Sequence, residues 1–188
     1  MKNKGLLITI GIIVLLAIFM IGGSYNGFVS KEEAVTNNMS QIDNQLKRRN
    51  DLIPNLVNTV KGYAKQEKDV ISSITNARAN LAGANTTSEK SKADGELTSA
   101  LNRLLVVVEN YPDLKSNENF KSLMDSLEGT ENRLAVARKD YNDSVKDYNS
   151  SIKKFPGVIT ARICGFEQKP YFEVSASEKE TPKVDFGK

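Results

Sequence analysis

Residues 6–23 read LLITIGIIVLLAIFMIGG, with Lys2 and Lys4 before them and no further charged side chain until Lys31. At about 1.5 Å rise per residue, such a run crosses a hydrocarbon core of roughly 30 Å as a single α-helix. A helix satisfies its own backbone polar groups, which is the condition for entering lipid. The run therefore predicts a transmembrane helix over 6–23, with membrane lipid as its partner. A cleavable signal peptide is the competing reading. Its apolar core is usually about 7–15 residues, followed by small residues, and Gly22-Gly23-Ser24 would supply those. The length of the run favours an uncleaved anchor over residues 1–24. No cysteine follows the run, which excludes lipid attachment there. Lys2 and Lys4 outweigh Lys31, which stands beside Glu32 and Glu33. That bias predicts a single-pass protein of the cell membrane with its N-terminus in the cytoplasm and the rest extracytoplasmic.

The composition narrows the chemistry. The 188 residues include no histidine, no tryptophan and one cysteine, Cys164. Without histidine there is no Ser-His-Asp or Cys-His triad, no histidine-based zinc site, and no side chain that ordinarily titrates near neutrality. One cysteine allows no internal disulfide, so packing alone holds the fold. Cys164 is expected as a small buried apolar residue. The formal net charge is +3, two units of it from Lys2 and Lys4, so the remainder is nearly neutral. A nucleic-acid binder concentrates positive charge on one face. The one dense basic cluster here is Lys47-Arg48-Arg49, and no nucleic-acid partner is expected. Nothing in the sequence marks a catalytic residue, a cofactor site or a metal site.

Pro and Gly are scarce between Phe28 and Phe155, and apolar residues recur at helical spacing. Phe28, Val35, Met39, Ile42 and Leu46 form one stripe. Ile53, Leu56, Val60, Tyr63, Val70, Ile74, Ala77 and Leu81 continue it in phase, with Arg49 and Glu67 as polar members. Pro54 inside a helix costs about 3 kcal/mol or more, whereas in a first turn it costs little. A break near Arg49–Asp51 is therefore expected, with Asn50 or Asp51 as N-cap; a kinked continuous helix fits the phase equally well. Gly83–Thr87 forms the next turn. Ser88 caps a third helix bearing Leu97, Leu101, Leu104, Leu105 and Val108. Asn110-Tyr111-Pro112-Asp113 ends it. Ser116 or Asn117 caps a long fourth helix, with a stripe running from Phe120 through Leu127, Leu134, Tyr141 and Tyr148 to Phe155. Gly129 weakens it locally, and Pro156-Gly157 ends it. Val158–Phe166 is either a short helix stopped by Gly165 or an extended strip. The expected class is all-α, an N-terminal transmembrane helix followed by an antiparallel four-helix bundle over 25–174. A polar tail over 175–188 is expected to be disordered.

The stretch Gln45–Ala64 (QLKRRNDLIPNLVNTVKGYA) is followed by Arg103–Phe120 (RLLVVVENYPDLKSNENF), Leu127-Glu128 and Thr130–Arg133 (TENR). Tyr141-Asn142, Tyr148-Asn149, Phe155-Pro156 and Tyr171-Phe172-Glu173 come in the same order, after Tyr25-Asn26. Together these closely resemble the LemA family, from about Tyr25 to Glu173. Asn50, where the family often has a small residue, and Gly27 after Tyr25-Asn26 depart from its pattern. The resemblance implies a bacterial membrane protein with one N-terminal helix and a four-helix bundle. It implies no defined biochemical activity.

The candidate interaction surface comprises Lys47, Arg48, Arg49, Asp51, Glu131, Arg133 and Arg138. Lys47–Asp51 reads either as a docking surface for an acidic partner or, preferably, as a solvated helix end favoured by the macrodipole. Upright, Arg49 stands about 39 Å beyond Gly23, too far to meet the headgroups of its own membrane across a Debye length of about 8–10 Å. Glu131, Arg133 and Arg138 read either as part of a network between two helices or, preferably, as surface ion pairs worth under about 1 kcal/mol. The function expected is that of a membrane-anchored scaffold or adaptor of the bacterial envelope, with unidentified protein partners. The alternatives are a homo-oligomeric protein that shapes the membrane and an enzyme restricted to carboxylate, lysine and tyrosine chemistry.

Overall fold

The computed structural model describes residues 2–173, which are all-helical with no strand among them: α1 (Lys2–Tyr63), α2 (Lys68–Gly83), α3 (Thr87–Val108), α4 (Pro112–Ser116), α5 (Glu118–Lys153) and α6 (Gly157–Cys164). The expected tail, 175–188, lies outside the described residues. The chain divides into two compact units. Among the described residues, one comprises 2–39 with Asp140–Pro170; the other comprises Ser40–Lys139 with 171–173.

In the first unit the apolar part of α1 is long and apolar enough to cross a membrane. Its side chains are exposed all round, from Leu7 at 67% to Phe19 at 83%. A helix apolar on every side needs apolar surroundings. Burial begins at Phe28, recurs at Val35, and on α5 takes in Tyr141, Val145, Tyr148 and Ile152. Lys31 Nζ donates to the Asp147 carbonyl at 3.5 Å and Asn38 Nδ2 to the Asp140 carbonyl at 3.2 Å. Seven residues up α1 correspond to seven residues down α5, so the two run antiparallel. The open choice at Val158–Phe166 resolves as helix α6, closed by Gly165 at φ 75°. That left-handed conformation favours glycine, and it lets Phe166 N reach the Ala161 carbonyl at 3.0 Å. Two expectations are corrected here. Phe155, placed on the buried stripe, is 79% exposed, because the helix has ended at Lys153. Cys164, expected to be buried, is exposed at the last turn of α6.

In the second unit the expected break near Arg49–Asp51 does not occur: α1 passes through Pro54 to Tyr63. Pro54 has no N–H for the Asn50 carbonyl four residues earlier. That carbonyl instead accepts from Arg78 Nε of α2 at 3.3 Å. A guanidinium thus replaces the missing helical bond, which explains how the proline is tolerated. The consequence is a measurable coupling. Arg78→Ala should cost about 1–2 kcal/mol, and nearly nothing in a Pro54→Ala background, where residue 54 regains its N–H. Equal losses in both backgrounds, by urea unfolding, would refute this role for Arg78.

The chain turns instead at Ala64–Glu67, where tertiary hydrogen bonds hold the corner. Tyr111 Oη donates to Glu67 Oε1 at 2.8 Å, and Asn117 Nδ2 donates to Tyr63 Oη at 2.9 Å. Tyr63, expected in the core, is accordingly 45% exposed. Leu105, expected on the apolar face of α3, is also exposed. The third-helix cap is Thr86 rather than Ser88: its hydroxyl accepts from Glu89 N while the Glu89 carboxylate accepts from Thr86 N, a closed capping box. The Thr86 and Asn85 backbone N–H groups, both donating to the Glu89 carboxylate, hold its carboxyl below the ordinary range. Asn117 caps α5 as expected, accepting from Phe120 N at 2.9 Å. α2 packs on α3 as an antiparallel pair, tied by Asn80 Nδ2 to Glu96 Oε2 at 2.9 Å. α1 and α3 run parallel, since Asp43 meets Lys90 and Arg49 meets Asp94. Ile53, Leu56, Ile74, Leu97, Leu104, Leu114 and Leu134 are among the fully buried side chains of this unit.

A buried ion cluster as candidate functional site

Arg49 occupies a stripe position of α1, in phase with Ile42 and Leu56, and is only 3% exposed. Its guanidinium donates to Asp94 Oδ1 at 2.5 Å and to Thr98 Oγ1 at 2.9 Å, both on α3. It also lies 2.8 Å from Glu131 Oε2 of α5. Arg138, one helical turn beyond Leu134, bonds the other Asp94 oxygen, Oδ2, and stands 3.6 Å from Glu131 Oε1. Asp94 is fully buried. Two cations and two anions are balanced in one place, which is the condition for keeping ions inside a fold. The Arg138 guanidinium lies over the Phe172 ring, 5.4 Å from its centroid. Ser91 Oγ donates to the Glu173 carbonyl, tying the same extended strip to α3.

The preferred sequence readings are corrected at three of the seven candidate positions. Arg49 is not part of a solvated helix end, and Glu131 and Arg138 are not simple surface pairs. The three meet in a cluster that joins α1, α3 and α5. The remaining four stay outside. Lys47 and Asp51 pair at 3.2 Å on an exposed turn of α1, Arg48 is exposed, and exposed Arg133 donates to its own-helix carbonyl at Gly129. Lys47 lines a cleft of about 260 Å³ with Asp43, Leu46, Asn50, Leu81, Ala82 and Lys90. Sequence reasoning missed Asp94, Thr98 and Phe172. The available signal for Asp94 was its place three residues before Leu97, on the apolar stripe of α3. Both Asp94 oxygens are engaged by guanidinium groups, so this carboxylate acts as a joint and is not poised as a base. Among the described residues no group of three His, Cys, Asp or Glu side chains is arranged to hold a metal ion.

A second polar group lies in the first unit. Asn149 is paired with the backbone of Lys169, its Nδ2 donating to the carbonyl and its Oδ1 accepting from the N–H, each at 2.9 Å. Tyr141 Oη donates to the Pro170 carbonyl at 2.8 Å. Lys169 Nζ donates to Glu32 Oε1 at 2.5 Å and sits 5.8 Å from the centroid of the Tyr148 ring. Tyr141, Tyr148 and Asn149 therefore hold down the chain that follows α6. The hydrogen bond to Glu32 raises the Lys169 ammonium above its ordinary range. Desolvation, followed by the charge of Glu32, raises the Tyr148 phenol. Both groups keep their protons longer folded than unfolded. Their contribution is thus complete below the ordinary phenol range and is lost as pH rises past about 10. The fully buried Tyr148 hydroxyl has no hydrogen-bond partner among the described residues. Tyr148→Phe should therefore stabilise the protein by about 1 kcal/mol near neutrality and reduce its alkaline loss. Urea midpoints at neutral and alkaline pH check both; a destabilised variant would mean the hydroxyl is bonded.

A long helix that opens as a candidate membrane span, and an all-helical body whose ions are paired internally, define the class: a helical protein with one N-terminal apolar segment. The chain belongs to the LemA family, whose sequence profile matches residues 38–186. Magnetosome proteins MamQ 2 and MamQ 1 of Paramagnetospirillum magneticum are each 28% identical to it over 175 residues, covering 79% of this chain and 64% of theirs. Magnetosome protein MamQ of Magnetospirillum gryphiswaldense is 28% identical over 174 residues, with the same coverage. The chain thus spans less than two thirds of these relatives' length.

Proposed function

We propose that this protein is a membrane-anchored scaffold or adaptor of the bacterial envelope rather than an enzyme. The observation that carries the reading is α1: one helix leaves the apolar segment and continues without a loop into the packed body. Such a helix tethers a folded surface to a bilayer. Confinement there raises the effective concentration of that surface toward other membrane proteins. The helix directions of the second unit, with α1 parallel to α3 and α2 antiparallel to α3, support an up-down-up-down four-helix bundle. The partner-facing groups in this reading are the exposed charges Lys47, Arg48, Asp51 and Arg133. Arg49, Glu131 and Arg138 serve from inside, holding the helices that present them. The body lies on the extracytoplasmic side, as the lysine bias favours.

Photo-crosslinking residues placed at Arg48 and at Arg133 in living cells test the adaptor role. A discrete adduct with another envelope protein is the expected result. An adduct with a second copy would recast the protein as a homo-oligomer. No adduct, while a control complex is captured, would end the proposal. Orientation has its own test, since Cys164 is exposed. A membrane-impermeant maleimide should label it in intact cells, and labelling only after permeabilisation would reverse the assignment.

A further inference from the structure

We infer that α6, with Phe155 before it, is a second membrane contact that lies in the headgroup region of the bilayer that α1 enters. The inference rests on the anchor reading of α1 and adds a site to it. Three observations within the first unit carry it. The first is depth. Phe166, just after α6, packs edge-on against Tyr25 and Phe28, with ring centroids 5.5 and 5.3 Å apart. Gly157, at the start of α6, also abuts the Phe28 ring. Tyr25 and Phe28 lie only about 3 and 7.5 Å beyond Gly23 along a helix. The polar zone of a bilayer leaflet is about 5–7 Å thick. Upright, α6 is therefore held at headgroup depth.

The second observation is the outward face. Gly157, Thr160 and Ala161 are buried, so α6 has a defined inner side. Its opposite side presents Ile159 at 48% and Ile163 at 66% exposure, one turn apart, and Phe155, in the turn just before α6, is 79% exposed. Water gives no reason for large apolar side chains to stand out in and beside one short helix. The third is charge. Arg162 lies on the same outward side, and Lys153 and Lys154 precede it, all exposed. Apolar residues flanked by cations suit a helix that sinks a few ångströms into an anionic lipid surface, the long cationic side chains reaching outward to phosphates. A helix of eight residues binds lipid weakly alone, but the anchor already holds it at the surface.

The protein contains no tryptophan, so each introduced one is a unique probe. The full chain is reconstituted into vesicles of phosphatidylcholine and phosphatidylglycerol, with single probes at Ile163→Trp, Phe155→Trp, Leu15→Trp and Asn37→Trp. Leu15 reports the span. Asn37, exposed on α1 and about 21 Å beyond Gly23, reports water. Probes at 163 and 155 are expected to be quenched by lipid brominated near the headgroup, and severalfold less than Asn37→Trp by aqueous iodide. Leu15→Trp quenched by deeply brominated lipid, with 163 and 155 as open to iodide as 37, would overturn the α6 contact and leave the anchor. Protection of 163 and 155 from iodide without quenching by brominated lipid would overturn it in favour of a protein cover. Failure of Leu15→Trp to sense lipid would overturn both readings.

Discussion

Asp94→Ala is expected to destabilise the folded chain by about 3–5 kcal/mol, the cost of removing one partner from a buried ion pair. The size follows from burial: Asp94 is fully enclosed, with one oxygen on Arg49 and the other on Arg138. Without it two guanidinium groups confront each other across the place of the carboxylate they share. Asp94→Asn should cost less, because its amide oxygen still accepts from one arginine. The simultaneous change Arg49→Met, Asp94→Leu, Glu131→Leu and Arg138→Met should be better tolerated than Asp94→Ala alone, since it removes both cations and both anions together. Urea unfolding of the detergent-solubilised full chain, followed by circular dichroism, orders the three variants. A loss below about 1 kcal/mol for Asp94→Ala would place the cluster in the energetic class of exposed pairs, the class to which Lys47–Asp51 belongs.

Gly157→Ala is expected to cost about 1–3 kcal/mol through overpacking, although alanine is ordinarily the better helix former. A Cβ at this position would sit 2.5 Å from the Ser151 carbonyl oxygen and 2.9 Å from Cζ of Phe28. The backbone oxygen has little room to yield, so α6 must move off α1. The Phe166 contacts with Tyr25 and Phe28 should loosen with it. A higher melting temperature in Gly157→Ala would show that helix propensity outweighs the close approach and that the packing described here is wrong.

Much of this fold was legible in the periodicity. The stripe through Phe28, Val35, Ile42 and Leu56 kept its phase across Arg49, and that phase was the sign that Arg49 faces inward. The same holds on α5, where Phe120, Leu127, Leu134, Tyr141 and Tyr148 recur every seven residues and are all buried. The cluster itself was not legible, because it depends on which helices meet. Asp94 and Glu131 lie far apart in sequence, and only tertiary packing turns polar stripe positions into a joint. Pro54 misled for a related reason. Local rules charge a proline with a lost hydrogen bond and take no account of a distant guanidinium such as Arg78 that replaces it. The turn at Ala64–Glu67 carries no proline, and hydrogen bonds to Tyr111 and Asn117 supply what the local sequence does not announce. Phe155 was misplaced because a buried stripe was extrapolated past the end of its helix, and Cys164 because a free thiol ordinarily behaves as a small buried apolar group.

The unbroken course of α1 past Gly23 carries one more consequence. Within the first unit that helix transmits angle as well as distance. Successive residues are rotated by about 100° about its axis, so the number of residues between Gly23 and Phe28 sets which side of the apolar run lies in line with the Phe28 ring. A single residue inserted after Gly23 would turn the run by that angle relative to Phe28 and leave the contacts of Phe28 with Gly157 and Phe166 unchanged.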